Sequence, residues 1–118
     1  MAASLLWAAL LAMPWPASAA ATDQIALGRD RAIESCSACH QVTGAQKPPE
    51  PVSDPDRMES VAAPSFAAIA AKYKDRDAEL RAFIKAPEHP MKEQQFLESD
   101  LGAIAAYIHS LQDSKASW

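Results

Sequence analysis

The run Cys36-Ser37-Ala38-Cys39-His40 constrains the fold more than any other stretch of this 118-residue chain. On a helical turn, a C-x-x-C-H spacing places two thiols three residues apart on one face, with an imidazole one step further along. Each thiol can add across one vinyl group of a haem, and the imidazole can then ligate the iron. The run therefore reads as a c-type haem attachment sequence. The same letters also fit a redox dithiol, a structural disulfide or half of a zinc site. A zinc site takes about four nitrogen or sulfur ligands, and beyond these two cysteines the chain offers only His89 and His109. A thioredoxin-like dithiol belongs in a βαβ context that the sequence does not show. Porphyrin burial of several hundred Å², at about 25 cal/mol per Å², contributes on the order of 10 kcal/mol as an upper bound.

Composition shifts sharply near the start. Met1 to about Ala21 carries no charged side chain; an apolar block, Leu5 to Met13, runs into Pro14 and Pro16 and then into Ala17-Ser18-Ala19-Ala20-Ala21. Small residues at the end of such a block offer A-x-A cleavage, so residues 1–21 read as a secretory signal peptide cut near Ala19 to Ala21, although no Lys or Arg precedes the block. The block is too short to cross a bilayer as a helix, which takes about 20 residues. Membrane contact is expected only through this leader, before cleavage, and the mature protein is expected in the periplasm. Residues 22–118, about a hundred, suffice for one domain, expected to be a monomer. All the charged side chains lie there, with a formal net charge of −4. Without a basic stripe to neutralise phosphates, nucleic-acid binding is excluded. In an oxidising compartment a free cysteine pair becomes a disulfide unless other chemistry consumes it, and thioether formation does so.

The mature chain reads as four helical stretches and one long irregular one. Ile25, Gly28, Ala32 and Cys36 fall on one helical face between Asp23, a candidate N-cap, and Cys39. Gly28 costs about 1 kcal/mol relative to Ala in mid-helix, which implies the close approach of a neighbouring backbone or ring. From Gln41 to Ala63, Pro48, Pro49, Pro51 and Pro55 forbid a regular helix, so an extended loop is expected, either covering one haem edge or mobile at the surface. A helix resumes over Pro64 to Lys72, with Pro64 suited to its first turn. Asp75 or Asp77 can cap the next, whose apolar face is Leu80, Phe83 and Ile84 and which Pro87 and Pro90 stop. Ser99 or Glu98 opens the last, where Leu101, Ile104, Ala105, Ile108 and Leu111 fit the helical template. The tail beyond Gln112 is polar and expected to fray. No strand alternation is visible.

With His40 on one side of the iron, the candidates for the other are Met91, His89 and an open or water-ligated position. Met91 lies in Pro87-Glu88-His89-Pro90-Met91-Lys92, a proline-stiffened loop able to hold a thioether still. His89 is two residues away, so only one of the two can face the metal. His109 is expected at the surface.

An early helix ending in C-x-x-C-H, a Pro-x-Phe segment, a late Pro-Met loop and a C-terminal helix containing an aromatic residue together resemble the class I monohaem cytochromes c, especially small bacterial periplasmic ones. The resemblance covers about residues 24 to 111. It implies an all-α cytochrome c-like fold, about four short helices wrapped around one covalent haem c, with the N- and C-terminal helices crossing. It implies Cys36 and Cys39 as thioether residues, His40 as proximal ligand and Met91 as distal ligand. Pro64 resembles the proline whose carbonyl accepts a hydrogen bond from the proximal imidazole, and Gly28 and Tyr107 resemble the pair at the helix crossing. Three departures stand out. Ala32 occupies a place where relatives often carry an aromatic residue, which implies a looser crossing; Ala63-Pro64-Ser65-Phe66 replaces Gly-Pro-x-Leu; and no mid-chain tryptophan is present to meet a propionate, a contact that Tyr73 or Lys72 could supply.

The expected function is one-electron transfer without a transformed substrate, not enzymatic catalysis. A Met/His pair moves the potential upwards, and an apolar pocket of Phe66, Ile69, Leu80 and Ile84 excludes water from the metal. Redox partner proteins are expected: a dehydrogenase, a reductase or an oxidase. Lys47, Lys72, Lys74, Lys85 and Lys92 are either a local docking patch or scattered solvated charges. Two alternatives remain: a dedicated electron-accepting subunit of a periplasmic dehydrogenase, and a haem-based ligand sensor or peroxidase should Met91 not be bound.

Overall fold

The structure, a computed structural model, describes residues 13, 14 and 17–118. Most of the expected signal peptide, residues 1–12 with 15 and 16, lies outside the described residues. Four helices follow in order: α1 (Ala17–Cys36), α2 (Phe66–Lys72), α3 (Asp77–Lys85) and α4 (Glu98–Asp113). Between α1 and α2 the strands β1 (Val52–Asp54) and β2 (Glu59–Val61) pair antiparallel, Val52 opposite Val61. No helix among the described residues is long and apolar enough to cross a membrane.

Helix α4 is the core element. Leu101, Ala103, Ile104, Ala105, Tyr107 and Ile108 are buried along it, against α1, α2 and α3. Its partner face on α1 is the expected one, with Gly28 and Ala32 buried and Ile25 and Cys36 half-buried. A Cβ built on Gly28 would lie 1.8 Å from the Ala103 carbonyl oxygen, so the two backbones touch at that point. The atoms nearest to Gly28 are thus main-chain atoms of Ala103 and Ile104, one turn before Tyr107 on α4. Ala32, on the same face of α1, is fully buried.

Several boundaries differ from the sequence-based expectation. In the uncleaved chain helix α1 runs from Ala17 through Asp23, because the alanine-rich run has high helix propensity and continues the helix; cleavage near Ala19 to Ala21 would remove that run and leave Asp23 near the helix start. Pro64 stands outside α2: Ser65 is the N-cap, its hydroxyl accepting the Ala68 N–H at 3.1 Å. The residue preceding α3 is Arg76, with no side-chain cap, while Asp75 turns the chain with φ 58° and Asp77 sits in the first turn, where its charge suits the helix dipole. Leu97 precedes α4, which Glu98 opens.

The proline-rich stretch holds a hairpin as well as loop. Asp54, 1 % exposed, accepts the N–H groups of Asp56 at 3.0 Å and Arg57 at 3.3 Å, the side-chain turn that lets three-residue strands pair on either side of it. Nor does the tail fray. Lys115, at φ 51°, ends α4 with Lys115 N–H on the Gln112 carbonyl and Ala116 N–H on the Leu111 carbonyl, and Trp118 comes back half-buried against the core.

Candidate haem attachment site

The last turn of α1 delivers Cys36, and the chain then tightens. Both Cys39 N–H (3.2 Å) and His40 N–H (2.9 Å) donate to the Cys36 carbonyl. A helix end leaves carbonyls without partners; here a side chain supplies them. Gln46 Nε2 donates to the Ser37 carbonyl at 2.9 Å and the His40 carbonyl at 3.0 Å, while its Oε1 accepts Val42 N–H at 2.9 Å. The C-x-x-C-H turn is thereby fixed by a residue six positions beyond it. Cys36 is half-buried and Cys39 exposed, and both thiols are free. Burial, and secondarily the neighbouring Cys39, pushes the Cys36 thiol up to about 11, so it is protonated at neutral pH.

His40 is buried, and its Nδ1 lies 2.7 Å from the Pro64 carbonyl oxygen, 24 residues along the chain. A carbonyl can only accept, so Nδ1 carries the proton, and in the neutral ring Nε2 is then the nitrogen with the lone pair. Among the described residues Nε2 has no hydrogen-bond partner. The Phe66 ring stands edge-on to the imidazole, centroids 5.7 Å apart at 62°, and its N–H donates to the Gln41 carbonyl at 2.9 Å, which brings the segment after Pro64 against the attachment turn. Tyr107, tilted against Phe66, donates its hydroxyl to the Val42 carbonyl and so ties α4 to the same loop.

Met91 lies in the loop between α3 and α4, half-buried, its N–H on the Glu88 carbonyl at 3.1 Å; the His89–Pro90 peptide is cis. His89 is exposed. Gln94 Nε2 donates to the Ser35 carbonyl at 2.9 Å, fastening the Met91 loop to α1 beside Cys36. Cys36, Cys39, His40, Pro64 and Phe66 thus form one cluster, and the Met91 loop is tied to its edge. Two free thiols on a turn, an imidazole with an unprotonated nitrogen, and half-buried Ile69, Phe83 and Phe96 beside the core are a donor set and an apolar surface that fit a covalently held haem.

His109 lies on α4, its Nε2 3.1 Å from Asp77 Oδ1, joining α4 to α3 away from this cluster. Tyr73 is buried against Phe83, with Lys72 Nζ 5.3 Å from its ring centroid. Of the five lysines considered for a patch, Lys85 is paired with Glu98, while Lys47, Lys74 and Lys92 are exposed. Gln46, Gln94 and Trp118 escaped the sequence reading: a glutamine in a polar loop has no periodicity or spacing that marks it as a clamp.

The family model described as cytochrome c matches residues 25–112. Among solved structures, the crystal structure of the c-type cytochrome SorU from Sinorhizobium meliloti is similar at 18% identity, covering 76% of this chain and 92% of that one with a TM-score of 0.48. Among curated proteins, no relative matches.

Proposed function

The chain belongs to the cytochrome c family, and from that premise we propose that it is a periplasmic electron carrier with one haem c, bonded through Cys36 and Cys39 and ligated by His40 and Met91. The single observation that carries the reading is the 2.7 Å bond from His40 Nδ1 to the Pro64 carbonyl, which leaves Nε2 as the ligating atom. Bound haem supplies the Fe(III)/Fe(II) couple.

The residues divide the remaining work. The Pro64 carbonyl holds the imidazole in one tautomer and orientation and raises its basicity. Cys36 and Cys39 would hold the group covalently on a turn that Gln46 keeps in shape. Met91, a weak thioether donor, would favour ferrous iron and so move the potential upwards. Buried Phe66, Leu80 and Ile84, with half-buried Ile69, are apolar core residues that would keep water from the metal. With both His40 and Met91 bound, the iron would have no position free for substrate, which favours a carrier over a catalyst. The uncharged leader and its alanine-rich end support export to the periplasm. The net charge of −4 disfavours nucleic acid and leaves redox proteins as partners of the monomer.

Met91→Ala tests the ligand set. The ferric protein is expected to show the far-red absorbance band of Met–iron ligation, and the variant to lose it, to drop in midpoint potential and to bind carbon monoxide when reduced. An unchanged potential rejects Met91 as the ligand.

A further inference from the structure

The half-buried Trp118 comes back to the loop that carries the attachment turn. A Cβ built on Gly44 would lie 3.1 Å from indole Cδ1 and Nε1, so the ring occupies the space above that glycine. The main-chain oxygen of Trp118 accepts the Ser65 hydroxyl at 2.7 Å across 53 residues. Ser65 directly follows Pro64, whose carbonyl accepts from His40 Nδ1, and Gly44 lies four residues beyond His40. One residue therefore braces both segments that meet at this hydrogen bond. The reversal that brings it there is built in: Lys115 takes φ 51° and Ala116 N–H closes on the Leu111 carbonyl at 3.1 Å.

We propose that Trp118 is a positioning residue for the proximal histidine: its indole and main-chain oxygen hold the 40–44 and 64–65 segments together and so set the strength of the His40 Nδ1–H to Pro64 hydrogen bond. The inference rests on the haem reading above. A carbonyl held close to Nδ1–H makes the imidazole a stronger donor to iron, which favours the ferric state. Removing the brace loosens the bond and favours the ferrous state. Nothing in this requires Trp118 to touch the haem.

The test uses the haem-bearing full chain, with Trp118→Ala, Trp118→Phe and Gly44→Ala variants. The readouts are the midpoint potential and the NMR exchange rate of the His40 Nδ1 proton. Trp118→Ala is expected to raise the potential and speed exchange, while Trp118→Phe, keeping a ring over Gly44, restores most of both. Gly44→Ala retains the tryptophan but makes the indole shift by a few tenths of an ångström; it is expected to move both readouts in the same direction by less, and it serves should Trp118→Ala not fold. An unchanged potential and unchanged exchange in folded Trp118→Ala, or in Gly44→Ala should that be the only folded variant, overturn the inference. So does a Trp118→Phe variant that behaves like Trp118→Ala. A wild-type protein without covalent haem overturns the haem reading as well, so the two failures are distinguishable.

Discussion

At Gly28 and Cys36, single atoms decide what the chain does. The space beside Gly28 is filled by the Ala103 carbonyl, 1.8 Å from where a Cβ would stand, and both partners are backbone. Gly28→Ala must therefore part α1 from α4. A loss of about 3 kcal/mol is expected in denaturant unfolding, at the upper end of overpacking costs. The glycine signalled a close approach from the sequence alone, but only the structure identifies Ala103 as the neighbour, since helix rotation at a crossing depends on side chains on both faces. At Cys36, burial favours the protonated thiol and raises it from the ordinary 9.0 to about 11. Its contribution to a haem-free fold is complete below pH 9 and is lost as pH rises through 11. In chain prepared without haem, Cys36 is expected to be alkylated more slowly at pH 8 than the exposed Cys39; equal rates contradict the formed turn. In the haem-bearing protein neither sulfur is expected to react.

Among the elements, α4 was the most legible and the β1–β2 hairpin the least. Leu101, Ile104, Ala105 and Ile108 repeat with helical period and are all buried, because that helix packs against three others and its pattern has no freedom to drift. Strands of three residues in a proline-rich segment are too short to show alternation. The hairpin depends instead on one buried carboxylate, Asp54, serving two N–H groups. Asp54→Ala is expected to leave those groups unpaired and to lower stability by about 1 kcal/mol in urea unfolding, with the visible spectrum unchanged; a changed axial-ligand band would place the hairpin in contact with the metal pocket. Helix starts were the other weak point. Asp75 is a good cap by residue type, yet a left-handed turn uses it, while Asp23 lies inside α1 only as long as the alanine run that cleavage would remove is present. Capping preference loses wherever the neighbouring sequence extends the helix or the chain has to reverse.

Across the whole molecule, three long-range ties converge on the attachment turn: His40 to Pro64, Tyr107 to Val42 and Gln94 to Ser35. Each links the C-x-x-C-H region to a different later segment, so the fold is arranged about His40 and its turn, with α4 behind it and the Met91 loop at its edge. The motif was legible at once because its spacing is chemical. The clamps were not, because Gln46, Gln94 and Trp118 act through main-chain groups that are identified only after the chain has folded. The most direct measurement of the central claim is the intact mass of the exported protein, combined with its visible spectrum after denaturation and extraction with acidified solvent. The expected result is a chain shortened near Ala19 to Ala21 carrying the mass of one haem, with the colour remaining on the polypeptide. A colourless protein whose mass shows Cys36 and Cys39 joined as a disulfide would contradict it.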